Sequence, residues 1–170
     1  MSELDAYNLG LLILRVGVGL TLASHGYNKF FGGGRIPGTA RWFDSMGMRP
    51  GKLHATLAAS TECAAGVGLA LGLLTPLCGA AFVGLMFVAF WTVHRPNGFF
   101  IVKSGWEYNF ILALVGVAVA TVGPGEWSLD DKLGIGGNGL VGLVLSVGGG
   151  LAAGAAQLAA FYRPPATTES

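Results

Sequence analysis

Apolar residues along this chain fall into five blocks separated by short polar stretches: Tyr7 to Tyr27, Leu53 to Leu74, Pro76 to His94, Glu107 to Val122 and Leu140 to Phe161. None alternates apolar and polar positions as a half-buried strand would. About 20 apolar residues in a helix cross the hydrocarbon core of a bilayer, and the blocks have that scale. Thr75-Pro76 separates the second from the third, since proline is tolerated in the first turn of a helix, where its missing N–H would have had no partner. His94-Arg95-Pro96-Asn97-Gly98 and Gly123-Pro124-Gly125 are breaker clusters that end the third and fourth. The pattern predicts an all-α membrane protein. Residues 1–132 form a four-helix transmembrane bundle, residues 133–162 carry a fifth, C-terminal transmembrane helix, and residues 163–170 are a disordered polar tail.

Small residues recur every four positions on two of these helices: Ser60, Ala64, Gly68 and Gly72 on the second, Gly142, Ser146, Gly150 and Gly154 on the fifth. Such ridges let membrane helices approach closely. They read as packing surfaces, within one chain or between copies in a homo-oligomer.

Composition agrees with burial in lipid. The 170 residues are 52% hydrophobic and 11% charged, with a mean hydropathy of +0.61. A soluble domain carries about a quarter charged residues, so too few remain to solvate a surface of this size. A net charge of +1, with no basic cluster interleaved with aromatics, argues against a nucleic-acid partner. The N-terminal MSELDAYN lacks the basic region of a secretory signal, so the first block reads as a retained helix. Cys63 and Cys78 sit at different expected depths and form no CxxC or Cys/His ligand spacing. The chain therefore brings no intrinsic cofactor. With five spans, eight of the nine Lys and Arg outside the spans fall on one side and Lys132 alone on the other. The positive-inside rule then places the N-terminus outside and the first and third loops in the cytoplasm of a plasma-membrane protein.

Six ionisable residues lie within or at the ends of the spans: Arg15, His25, Lys29, Glu62, His94 and Glu107. A charge at the centre of a membrane helix costs about 2.5–3.5 kcal/mol on insertion scales, so such groups face the bundle interior. Arg15, Leu22, His25 and Lys29 share one face of the first helix. The first and third helices end, and the second and fourth begin, at the same surface. His25, Lys29, His94 and Glu107 therefore gather there, with Glu62 about 13 Å deeper and Arg15 deeper still at 1.5 Å per residue. Packing explanations compete with a site: Lys29 snorkelling to the interface, an Arg15–Glu62 ion pair fixing helix register, and His25 and His94 bonded to backbone carbonyls. Gly134-Ile135-Gly136-Gly137-Asn138-Gly139 has GxGxxG spacing but no preceding strand. Gly32-Gly33-Gly34-Arg35 could cradle an anion beside Lys29 and Arg41. Trp42, Phe43, Trp91, Trp106 and Tyr108 read as an interfacial aromatic belt.

Taken in order, these residues resemble the DoxX family of small bacterial membrane proteins. Leu14-Arg15, His25-Gly26-Tyr27-Asn28-Lys29, Glu62-Cys63-Ala64-Ala65-Gly66, Leu71-Gly72-Leu73-Leu74-Thr75, His94, Gly98-Phe99-Phe100 with Glu107, and Gly123-Pro124-Gly125 with Ser128-Leu129-Asp130 carry the likeness, over roughly Leu9 to Lys132. The resemblance implies a four-helix membrane bundle, a link to thiosulfate:quinone oxidoreductase subunits or to oxidant and thiol homeostasis complexes, and a soluble or membrane redox partner. The fifth span departs from the family core. The expected function is a membrane subunit of a redox system binding a quinone head group, a small anion or both. Glu62, Glu107, His25 and His94 are its candidate proton relay, and Arg15, Lys29 and Arg35 its candidate anion ligands. A non-enzymatic anchor for a soluble oxidoreductase and a small-solute or proton transporter are the rivals. A haem held by His25 and His94 is a minor alternative cofactor.

Overall fold

The computed structural model describes residues 1–164; the expected tail lies, from residue 165 onward, outside the described residues. The described residues are helical and contain no strand, only an isolated bridge between Met48 and Tyr162. Helix α1 spans Glu3–Phe31 and starts on a capping box. The Ser2 hydroxyl accepts from the Asp5 N–H, and the Asp5 carboxylate accepts from the Ser2 N–H. Helix α2 (Arg35–Ser45) follows, then α3 (Gly51–Leu71) and α4 (Thr75–Ala89). The α4 rod continues through a π-helical turn, Phe90–His94, and a 3-10 turn, Arg95–Asn97. Helix α5 is Glu107–Val122 and α6 a short turn, Leu129–Leu133. The last helix, α7, runs over Gly139–Phe161 with a π-helical stretch at Val144–Gly149.

Among the described residues, three helices are long and apolar enough to cross a membrane: Glu3–Phe31, Thr75–Asn97 and Gly139–Phe161. Helix α5 is apolar but only 16 residues long. Helix α3 has 21 residues, yet Lys52, His54, Ser60, Thr61 and Glu62 dilute its hydropathy. Helix α2 lies within the first loop, where the apolar pattern predicts no helix. Ile36, Ala40 and Phe43, spaced four and three apart, turn one face inward against Met48, Ala55, Val88 and Leu158.

Close approach of backbones organises the bundle. Helix α1 packs on α3 through Gly19, Gly26 and Gly66: a Cβ at Gly26 would sit 2.5 Å from the Ala59 carbonyl, and one at Gly19 equally close to that of Gly66. The interlocking ridge on α3 is therefore Ala59, Cys63 and Gly66. Ser60 and Ala64 of the expected ridge are exposed, one residue out of phase with the real contact. On α7 the expected ridge is the contact. Gly150 packs against Ala80 and Val83, Gly154 against Phe87, and Ser146 is fully buried, so this ridge joins α7 to α4 of the same chain. Leu22, Leu69, Phe82 and Val119, each at most 1% exposed, form the centre between α1, α3, α4 and α5. Both cysteines are free.

Candidate functional site

Helix geometry decides where each buried polar group ends up. Helices α1 and α3 run antiparallel in tight contact, and this sets Lys29, near the end of α1, over Glu62 in the middle of α3. The Lys29 Nζ donates to both Glu62 oxygens, at 2.8 and 2.6 Å. The side chains are only 19% and 10% exposed, so lysine and glutamate form a largely desolvated ion pair. Lys29 reaches into the bundle instead of snorkelling outward.

In the first turn of α5, Tyr108 places its hydroxyl 3.0 Å from Nε2 of His25. His94 closes the π-helical turn after α4, and its Nδ1 lies 2.7 Å from the Ser104 carbonyl. A carbonyl only accepts, so Nδ1 carries the proton; in the neutral ring Nε2 is the free acceptor. Asn109 is 5% exposed. Its amide N–H reaches only the Met86 sulfur, at 3.6 Å, and its Oδ1 has no partner. Buried polar atoms are rarely left unpaired.

These groups border one cavity of about 680 Å³. Its walls come from α1 to α5 and α7 and are mostly apolar, while His25, Lys29, Glu62, His94, Tyr108 and Asn109 line its polar end. An apolar pocket with a few convergent polar groups is the usual form of a small-molecule site.

The other residues singled out in the sequence lie elsewhere. Arg15, 2% exposed, does not pair with Glu62. Its guanidinium donates to the carbonyls of Ala70 and Trp127 at the opposite end of the bundle, tying α1 to the end of α3 and to the segment before α6. Lys29 is nearer Glu62 because α1 and α3 are antiparallel. Arg35 is exposed at the first residue of α2 and does not border the cavity. Glu107 turns to the preceding loop and accepts from the Ile101 N–H at 2.9 Å, away from the cavity lining.

Sequence reading missed several groups. Tyr108 and Phe43 read as belt residues in the sequence, yet Tyr108 meets His25, and Phe43 is buried and borders the cavity. His54, fully buried, lies 3.0 Å through Nδ1 from the Gln157 amide and stacks edge-on with Phe161. Its place on the first turn of α3, in phase with Ala58 and the buried Ala65, is the signal that could have found it. Asp130 accepts from the N–H groups of Leu74 and Thr75, at 2.7 and 2.9 Å, and so caps α4.

The family model described as DoxX matches residues 10–95. A protein of Bacillus subtilis (strain 168) named "Putative oxidoreductase CatD" is 30% identical over 125 residues, covering 74% of this chain and 87% of that protein. No solved structure matches the chain.

Proposed function

The chain belongs to the DoxX family, and on that premise we propose that it is the membrane subunit of a redox system, with a quinone head group or a small anion held in the polar end of its cavity. Family membership and the oxidoreductase name of the Bacillus relative support the redox role. The observation that carries the site is the convergence of Lys29, Glu62, His25, His94 and Asn109 on one largely apolar cavity. The donor set fits a quinone. Lys29 and the Asn109 NH2 can donate to a ring carbonyl, and the unpaired Asn109 Oδ1 can accept from a hydroxyl of the quinol form. Reduction of the quinone takes up two electrons and two protons; Glu62 and the His94 Nε2 can take protons from the surface by way of the His25–Tyr108 pair and pass them to the ring oxygens. A bound quinone supplies the electron-carrying couple, and a partner protein exchanges electrons with it.

In this reading all five long helices cross the plasma membrane with the N-terminus outside. The polar end then lies at the cytoplasmic side, along with α2 and the loop from Arg95 to Trp106. Lys29 and the Glu62 carboxylate would serve a small anion less well, because they already neutralise each other. One observation favours a non-enzymatic anchor: α2 presents Arg35, Arg41 and Trp42 outward, a face suited to a soluble partner.

Full-length protein in lipid nanodiscs, titrated with the tail-free quinone dimethoxy-methyl-benzoquinone and read by quenching of its tryptophans, tests the reading. Saturable binding that weakens at least tenfold in Glu62→Gln and clearly in His94→Ala is expected. Absent binding, or binding indifferent to both substitutions, contradicts it. If a co-purified partner is then lost with Arg35→Glu and Arg41→Glu, the anchor reading replaces it.

A further inference from the structure

The cavity is far longer than its polar end. Along α4 it is bordered from Ala80 to His94, which at 1.5 Å per residue is about 20 Å of helix. Away from the ionisable groups, its α4 wall is built of Ala80, Ala81 and Gly84. The facing wall on α7 is Gly149 and Ala153, four residues apart, beside the Gly150–Gly154 ridge that packs on α4. Small residues here leave a trough where larger side chains would fill the space.

The trough has a side opening. Helices α3 and α7 do not pack along their length; they meet near one end, where His54 contacts Gln157 and Phe161. Below that contact Leu57 of α3 and Gly149 and Ala153 of α7 border the cavity and are exposed as well. The opening therefore lies on the apolar flank of the bundle, where acyl chains would surround it. A second, independent feature marks the inner end: Asn109 borders the cavity, is 5% exposed, and its Oδ1 has no hydrogen-bond partner.

We propose that this cavity admits an amphipathic ligand sideways from the lipid, its polar head at Lys29, Glu62 and Asn109 and its apolar tail in the trough along α4, emerging between α3 and α7. The inference rests on the quinone reading above and specifies the molecule further: a lipid-soluble quinone with a prenyl or alkyl tail. A tail arriving from lipid exchanges acyl-chain contacts for contacts with the trough, so it raises affinity through closer packing and not through removal from water. Gly149 and Ala153 set how much of it fits.

The experiment compares two probes on full-length protein in nanodiscs, decylubiquinone and the tail-free dimethoxy-methyl-benzoquinone, with affinities corrected for partition into lipid. Wild type is expected to prefer the tailed probe at least tenfold. Gly149→Leu and Ala153→Leu should each cut that preference to less than threefold while still holding the tail-free probe. The Gly149 position has room for a Cβ, whose nearest neighbour would be the Ala80 Cβ at an ordinary 3.8 Å, so the fold tolerates the change. Gly148→Leu, whose Cβ would meet nothing within 4 Å, is the control and should keep the wild-type preference. A preference that survives both trough variants overturns the inference and leaves the quinone reading standing. Failure of wild type to bind either probe removes the quinone reading itself, and the inference with it.

Discussion

Both ends of this bundle bury polar groups, and their most buried charges take different partners. At the end near the N-terminus, the two most buried charged groups bond to backbone. Arg15 holds the Ala70 and Trp127 carbonyls, and Asp130 caps the first N–H groups of α4. The Asn8 amide bonds Glu126 at 2.9 Å and its Oδ1 accepts from the Glu126 N–H. At the other end Lys29, Glu62, Tyr108 and His25 bond to side chains, and Asn109 leaves an oxygen unpaired beside open space. A charge bonded to backbone fixes one conformation of the chain. A charge bonded to another side chain beside a cavity can exchange that partner for a ligand. Burial alone does not separate the two roles; the nature of the partner does.

That contrast fails if the two ends respond alike to substitution. The largest effect is expected from Arg15→Met, which strands two carbonyls and should cost about 3 kcal/mol of stability, seen as a sharp fall in the melting temperature of protein in nanodiscs. Quinone affinity per folded molecule should stay the same. Removing both charges of the cavity pair, Lys29→Met with Glu62→Gln, should lower quinone affinity at least tenfold. Stability should move by less than about 1 kcal/mol, because a buried ion pair returns little beyond its desolvation cost. Asp130→Asn keeps the shape of the α4 cap but sets an NH2 against one of the two backbone N–H donors, so it should cost about 2 kcal/mol and leave binding alone. The smallest effect, and the one of opposite sign, belongs to Asn109→Leu. Removing an unpaired buried amide should leave stability unchanged or raise it by up to about 1 kcal/mol, while quinone affinity falls severalfold in the same titration.

Much of the helical framework was legible in the chain because lipid-scale apolar blocks and their breakers are local features. Thr75-Pro76 does start α4, and Glu107 to Val122 is α5 residue for residue. Helix α2 escaped notice because its inward face is only Ile36, Ala40 and Phe43, too short a stripe to stand out beside a glycine run. The gathering of His25, Lys29, Glu62 and His94 at one end was also readable, since antiparallel helices place alternate ends together. Which groups face one another was not. Pairing depends on the register of α1 against α3, fixed by Gly26 meeting Ala59 and Cys63, and that register gives Glu62 to Lys29 and leaves Arg15 to the far carbonyls. Glu107 lies one residue from Tyr108 and two from Asn109, yet the helical turn sends it to the loop and them to the cavity. The spacing of polar residues along one helix carries no information about which neighbour covers which face.

The most direct test of a ligand site at the Lys29 end is photolabelling of full-length protein in nanodiscs with an azidoquinone, followed by mass-spectrometric mapping of the adducts. Adducts concentrated on cavity-lining segments, around Thr61–Glu62, Tyr108–Asn109 and Gly149–Ala153, and displaced by excess unlabelled quinone, are the expected result. Adducts spread over the outer helix faces, or clustered near Arg15 and Asp130 and not displaced, would contradict it.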